Sequence, residues 1–90
     1  MRVECAFYGP LRDPVGEKTV HRELEDGATV GDLLADLEDE YPGLDLLENG
    51  KRRDHLTITV AGKDVRHLDE TDTDLEDGAL VRLTGAVYGG

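Results

Sequence analysis

The sequence predicts an α+β fold in which one main helix packs across a mixed sheet of four to five strands. Alternating apolar and polar residues predict strands near both ends of the chain, at residues 2–8 and 80–83. A capped amphipathic helix begins at Thr29, and a third strong strand pattern follows at residues 56–60. Because strands precede and follow the helix, the helix must lie across the sheet that they form.

The first half of the chain predicts a hairpin. Val3, Cys5 and Phe7 share one face of the first strand. A second strand pattern covers residues 18–24, and glycines and prolines between the two patterns mark an irregular connection. Consecutive strands usually lie side by side, so we expect these two to pair.

The helix has the clearest signals in the sequence. Thr29 and Asp32 have the spacing of a capping box, in which each side chain accepts a hydrogen bond from the other residue's backbone N–H. Pro42 and Gly43 end the helical pattern. The apolar residues recur at helical spacing and predict one buried stripe: Val30, Leu33, Leu34, Leu37 and Tyr41.

The second half of the chain predicts shorter elements. Residues 44–54 are polar and rich in turn signals, and residues 65–68 predict a short, weak strand. Residues 69–76 predict an acidic loop anchored by Leu75. The final strand then leads into the last residues of the sequence.

The charge of the chain excludes some classes of partner. The 90 residues carry a net charge of −11, with a pI near 4.4. Nucleic-acid binding through phosphates needs clustered Lys and Arg, so we expect no direct nucleic-acid binding. Anionic membrane surfaces are disfavoured for the same reason. The surplus of acids and the use of lysine only at Lys18, Lys51 and Lys63 predict a halophilic, salt-adapted protein, because salt screens self-repulsion.

A cytoplasmic location is expected from three observations. The sequence has no apolar stretch long enough to span a bilayer. Met1 runs directly into the first strand without the pattern of a signal peptide. Cys5 is a single cysteine that alternates with apolar residues, so it predicts a buried small hydrophobe rather than a disulfide or a reactive thiol.

No pattern for catalysis or metal binding stands out in the sequence. His21, His55 and His67 lack ligand-like spacing among themselves or with Cys5, so we expect no metal site. No phosphate-binding loop of the Walker type is present. These features favour a carrier or modifier protein over an enzyme.

The last two residues, Gly89 and Gly90, suggest a chemical role. Glycine lets a chain enter a channel too narrow for any residue with a Cβ, and a terminal carboxylate can be activated for attack by sulfur or by an amine. We therefore divide the chain into a domain at residues 1–84 and a flexible tail at residues 85–90. An inert, frayed end is the alternative.

The whole chain resembles the β-grasp, ubiquitin-like sulfur carriers. This family includes the small subunit of molybdopterin synthase, the thiamine-pathway sulfur carrier and the small archaeal modifier proteins. The resemblance rests on Phe7-Tyr8, Leu11-Arg12, Val15-Gly16, Ala28-Thr29-Val30-Gly31-Asp32-Leu33-Leu34, Leu75-Glu76-Asp77-Gly78 and Gly89-Gly90, in this order.

The resemblance implies how the tail is used. In this family a ubiquitin-activating-type enzyme uses ATP and magnesium to adenylate the terminal carboxylate, here that of Gly90. The product becomes a thiocarboxylate for molybdenum-cofactor synthesis or tRNA thiolation, or is joined to lysines of target proteins. Val87, Tyr88 and Gly89 then serve in tail recognition, and Lys18, Lys51 and Lys63 are candidate acceptors of a modifier.

The resemblance also implies an interface and partners. Tyr8, Arg12 and Thr84 occupy positions that contact the activating enzyme or, in the synthase, its large subunit. The synthase tail Phe-Pro-Pro-Val-x-Gly-Gly is replaced by Thr84-Gly85-Ala86-Val87-Tyr88-Gly89-Gly90. The loss of both prolines predicts a floppier tail and favours a protein modifier or another sulfur-transfer pathway. A stand-alone β-grasp interaction domain with an inert tail is the alternative function.

Overall fold

The first and last strands of the domain lie side by side in the middle of the sheet. The structure is a computed structural model, and it describes residues 1–85. The strands are β1 (Arg2–Tyr8), β2 (Thr19–Glu23), β3 (Leu47–Glu48), β4 (Lys51–Arg52), β5 (Thr57–Val60), β6 (Lys63–Asp64) and β7 (Leu80–Thr84). Five of them form a mixed sheet in the order β2-β1-β7-β5-β6, in which β1 and β7 are parallel and the other pairs antiparallel. The predicted hairpin of the first two strands and the five-stranded mixed sheet are confirmed.

Two helices accompany the sheet: the single turn α1 (Arg12–Val15) and the main helix α2 (Val30–Glu40). The predicted capping box is present, because the Thr29 N–H donates to Asp32 Oδ2 at 2.9 Å and the Asp32 N–H donates to Thr29 Oγ1 at 3.3 Å. The predicted stripe is buried at Val30, Leu33, Leu34 and Leu37, and Tyr41 is partly buried at the end of the helix. The helix and the inner face of the sheet thus enclose the hydrophobic core.

Acidic side chains near the end of α2 have specific partners. Asp36 accepts from Arg22 Nε of β2 at 2.7 Å, and this ion pair joins the helix to the edge of the sheet. Glu38 accepts the backbone N–H groups of Leu46 and Leu47 at 2.8 and 3.1 Å. These contacts offset the unfavourable placement of acids at a helix C-terminus.

One expectation about the second half of the chain needs correction. The predicted strand at residues 65–68 is wrong: Val65–His67 forms a 3-10 turn, and the strand is Lys63–Asp64. The cause is local, because the Asp64 carboxylate accepts the Arg66 N–H at 2.9 Å and closes a turn. Residues 44–54 contain the hairpin of β3 and β4 around Asn49-Gly50, which has positive φ at both residues, as a tight hairpin turn requires.

Candidate functional site

The sheet has one face covered by α2 and one open face. Along β7, Val81 and Leu83 are buried, whereas Arg82 and Thr84 are exposed and point away from the helix. The strand register places their neighbours on the same face. The open face includes Glu4, Ala6 and Tyr8 of β1, Leu80, Arg82 and Thr84 of β7, and Thr57 and Thr59 of β5.

Tyr8 and Thr84, two of the predicted interface residues, are direct neighbours on this face. They are register partners in the parallel pair of β1 and β7, and Thr57 lies opposite Thr84 on the other side. Tyr8 is partly exposed, and the Lys18 Nζ stands 5.5 Å from the centroid of its ring. The Tyr8 ring thus offers apolar area with a cation over its face.

The basic side chains near this pair differ from most others in the domain. Arg12, Lys18 and Arg82 are exposed, and none forms a salt bridge with another group among residues 1–85. Ion pairs hold most other arginines, such as Arg52 with Glu70 at 3.0 Å. The end of the open face therefore carries available positive charge in a strongly acidic protein.

We call Tyr8, Arg12, Lys18, Arg82 and Thr84 the docking patch. Arg12 is included in the docking patch because of its position in the chain, at the start of α1 just after the turn that follows β1, and not because of a contact with the other four residues. Arg82 was missed by the sequence analysis. The alternation that predicted the last strand places it on the same face as Thr84, and that pattern was the available signal.

The start of the tail is held by the turn after β1. Gly9 has φ of +65°, and the 3-10 turn Gly9–Leu11 brings Pro10 and Leu11 against Gly85, which is buried. The predicted attachment residue Gly90 and the predicted recognition residues Val87, Tyr88 and Gly89 lie outside the described residues.

The three candidate acceptor lysines occupy different places. Lys18 lies in the docking patch, whereas Lys51 is in β4 and Lys63 is in β6. All three are exposed. Exposure makes each amine accessible, and only Lys18 is placed beside Tyr8.

Cys5 is fully buried in the core. Removal from water raises the pKa of its thiol to about 12, so the thiolate is not formed at neutral pH. The prediction of a buried small hydrophobe is confirmed. Within residues 1–85, no group of three or more His, Cys, Asp or Glu is arranged to hold a metal ion.

The described helices are also too short and too polar to cross a membrane. Neither α1 nor α2 approaches the length that a bilayer requires.

Comparison with known proteins decides the family. A model of the ThiS family matches residues 5–90. The chain belongs to the ThiS family. It is also 40% identical to small archaeal modifier protein 3 of Haloferax volcanii, over all of both chains.

Solved structures agree with this assignment. The crystal structure of SAMP1 from Haloferax volcanii matches with a TM-score of 0.87 and 25% identity over all of both chains. A chain in the BexX/CysO complex of Amycolatopsis orientalis matches with a TM-score of 0.82 and 30% identity, over 98% of this chain and 99% of that chain. The predicted ubiquitin-like fold and the predicted place among non-catalytic small modifiers and sulfur carriers are confirmed. The relative from Haloferax also agrees with the predicted adaptation to salt.

Proposed function

We propose that this ThiS-family chain acts through the carboxylate of Gly90, as a sulfur carrier and protein modifier. One observation carries the proposal: the parallel pair of β1 and β7 places Tyr8 and Thr84 together at the base of the segment that leads to Gly90. A partner that binds this patch has the tail beside it. The domain supplies binding, and the chemistry belongs to the partner.

The chemistry requires activation, because a carboxylate is a poor electrophile. A ubiquitin-activating-type enzyme uses ATP and magnesium to form the Gly90 acyl adenylate and release pyrophosphate. A persulfide then displaces AMP and forms an acyl disulfide, and a second thiolate attacks its S–S bond, which releases the Gly90 thiocarboxylate and leaves a disulfide on the enzyme. A cysteine thiolate that displaces AMP forms a thioester instead. In the modifier branch, a lysine amine attacks the activated carbonyl and forms an amide, while AMP or the cysteine thiolate leaves and the proton passes to solvent.

Docking to the activating enzyme uses the docking patch. Tyr8 contributes amphipathic contact area, as tyrosine commonly does at interfaces. Lys18 and Arg82 have no carboxylate partner among residues 1–85, so acidic groups of the enzyme can pair with them. The positive charge of the docking patch directs this face of an otherwise acidic protein toward the activating enzyme.

Several downstream partners fit the same tail. A molybdopterin-synthase large subunit would accept sulfur, whereas target-protein lysines would accept the whole chain. Lys18, Lys51 and Lys63 are exposed amines through which copies of this chain could be joined. CysO, named in the complex with BexX, is a structural relative that forms a complex with another protein. A cytoplasmic location fits the single cysteine, which stays reduced there.

The deciding experiment measures ATP–pyrophosphate exchange by the activating enzyme with two versions of the chain. Deletion of Gly89 and Gly90 is expected to abolish exchange, and replacement of both lysines outside the patch, Lys51→Ala with Lys63→Ala, is expected to leave it unchanged. Exchange by the truncated chain at the full rate would refute the proposal. Truncation should leave the thermal midpoint within about 2 °C, because among the described residues the core cluster extends no further than Leu83.

The fate of the activated tail is read by mass spectrometry of the tryptic peptide Leu83–Gly90 from cells. A sulfur-for-oxygen mass shift on Gly90 identifies the carrier branch, and the same peptide branched on lysines identifies the modifier branch. If only the free acid is found, and partner binding depends on Tyr8 but survives loss of the tail, the chain is a stand-alone interaction domain.

A further inference from the structure

The backbone of Gly85 is packed against a turn from the other end of the domain. A Cβ built on Gly85 would lie 3.4 Å from Leu11 Cγ, 3.5 Å from Pro10 Cδ and 3.7 Å from Leu11 Cδ2. Gly85 is buried as a result, although it is the residue at which the tail begins. We call Pro10 and Leu11 the exit shelf.

The exit shelf is held in place by the hydrophobic core and by the conformation of its own turn. Leu11 belongs to the hydrophobic core and is 9% exposed. Pro10 has a fixed φ, and the turn is entered through Gly9 at φ +65°, a conformation that residues with a Cβ rarely adopt. The Arg12 N–H closes the turn on the Gly9 carbonyl. The shelf is therefore an ordered surface against which the chain leaves β7.

We propose that the exit shelf is a positioning element, which sets the direction in which the tail leaves the domain and so places Gly90 relative to the docking patch. This inference rests on the proposed function. Pro10 and Leu11 act through the path of the chain, since Gly85, against which they lie, is five residues from Gly90.

The effect of the exit direction on the position of Gly90 depends on the length of the chain beyond Gly85. Residues 86–90 can span at most about 18 Å, at about 3.3–3.6 Å for each residue. In a fully extended tail, a change of about 30° in the exit direction would displace the far end by about 9 Å. Because a misplacement of about 1 Å in a reacting group can reduce a rate about 100-fold, the direction at Gly85 matters for activation.

Two variants remove the shelf and two are matched controls. Gly85→Val adds two γ carbons to a Cβ that would already lie 3.4 Å from Leu11 Cγ, so it crowds the shelf. Pro10→Gly frees the turn without opening the core, because Pro10 is exposed. Gly85→Ala adds only an ordinary van der Waals contact, and Gly85 has no positive φ that alanine would strain. Ala61→Gly introduces a glycine into the exposed turn between β5 and β6, beside Leu80 at the opposite end of β7 from Gly85.

The first measurement needs no partner. Spin labels at Thr57→Cys on the open face and at Tyr88→Cys in the tail, in a Cys5→Ala background, give a distance distribution by double electron–electron resonance. Pro10→Gly and Gly85→Val are expected to shift or broaden this distribution by several ångströms, and Gly85→Ala and Ala61→Gly to preserve it. If all four variants share one distribution, the exit shelf does not direct the tail and the inference is overturned.

The second measurement separates positioning from docking. In ATP–pyrophosphate exchange with the activating enzyme, Pro10→Gly and Gly85→Val, without the spin-label substitutions, are expected to lower kcat about tenfold and to change KM less than about twofold, since the docking patch is intact. If a substitution shifts the spin-label distance distribution but leaves kcat normal, the inference is overturned. A raised KM with normal kcat would also overturn it, and would place Pro10 in the docking surface instead.

The two proposals fail in different ways. If the chain with its full tail supports no exchange at all, the proposed function fails, and the distance distributions still decide whether the shelf directs the tail. If Gly85→Val does not fold, as judged by its thermal midpoint, Pro10→Gly carries both measurements, because it deletes no core side chain.

Discussion

Replacement of Arg52 by methionine should destabilise the domain more than any surface charge substitution. The Arg52 side chain is only 8% exposed. Its Nε and Nη2 each donate to a Glu70 carboxylate oxygen at 3.0 Å, and its Nη1 donates to the carbonyls of Leu56 at 2.7 Å and Arg53 at 3.0 Å. One guanidinium thus joins the β3–β4 hairpin, the turn before β5 and the 3-10 turn Glu70–Asp72.

The size of the effect follows from these contacts. Removing one partner of a buried ion pair costs about 3–5 kcal/mol, and because Glu70 is half exposed we expect about 3 kcal/mol. A 90-residue domain has a total stability of about 5–13 kcal/mol, so the loss is a large part of it. The thermal midpoint should fall by about 15 °C.

Arg53→Met is the matched control. Arg53 also bonds two carboxylates, of Asp45 at 2.9 Å and Glu48 at 2.8 Å, but these acids are 71% and 64% exposed. Exposed pairs contribute less than about 1 kcal/mol. Urea unfolding of both variants under the same salt measures the two free energies. Equal, small losses for Arg52→Met and Arg53→Met would refute the reasoning from burial.

The same ion pair predicts a response to acid. The hydrogen bonds from Arg52 lower the pKa of Glu70 below its ordinary value of 4.5. The ionised carboxylate therefore stabilises the fold above that pH, and this contribution is lost as the pH falls through the lowered pKa. The difference in unfolding free energy between the native chain and Arg52→Met should therefore narrow as the pH falls below 4.5.

Three further predictions concern other groups. Burial raises the pKa of Cys5 from 9.0 to about 12, so the buried neutral thiol stabilises the fold below pH 9 and this stabilisation should be lost as the pH rises from 9 to 12. Urea unfolding of Cys5→Ala and of the native chain at several pH values measures this loss. A difference in unfolding free energy that does not change with pH would contradict the prediction. Hydrogen bonds from Arg66 lower the pKa of Asp64 from 3.8 to about 2, so a carboxyl NMR titration should find a midpoint near 2 that Arg66→Met moves back toward 3.8. The net charge of −11 predicts a higher unfolding free energy in molar KCl than in dilute buffer, and equal values would exclude salt adaptation.

The elements that the sequence predicts well are those encoded by neighbours in the chain. The capping box at Thr29 and the alternation along β1, β5 and β7 need no distant partner to be recognised. Elements that depend on one side-chain contact are different. The turn at Val65–His67 replaced a predicted strand because Asp64 captures the Arg66 N–H, and apolar content alone does not reveal that bond.

The candidate site also contains residues that the sequence identifies and residues that only the structure identifies. Resemblance named Tyr8, Arg12 and Thr84, and the structure shows Tyr8 and Thr84 in register. Arg82 stayed unnamed because its importance depends on the absence of an ion pair within residues 1–85, which only coordinates can show. The exit shelf was also hidden, because the contact of Gly85 with Leu11 joins residues 74 positions apart.

The central position of β7 has a consequence for how the protein is made. Until residues 80–84 have left the ribosome, β2-β1 and β5-β6 are two separate pairs with no strand to join them. Two-stranded pairs are marginal in water, so a growing or prematurely terminated chain stays open to proteases. Folding thus waits for β7, and the fold selects chains that have been synthesised at least as far as residue 84.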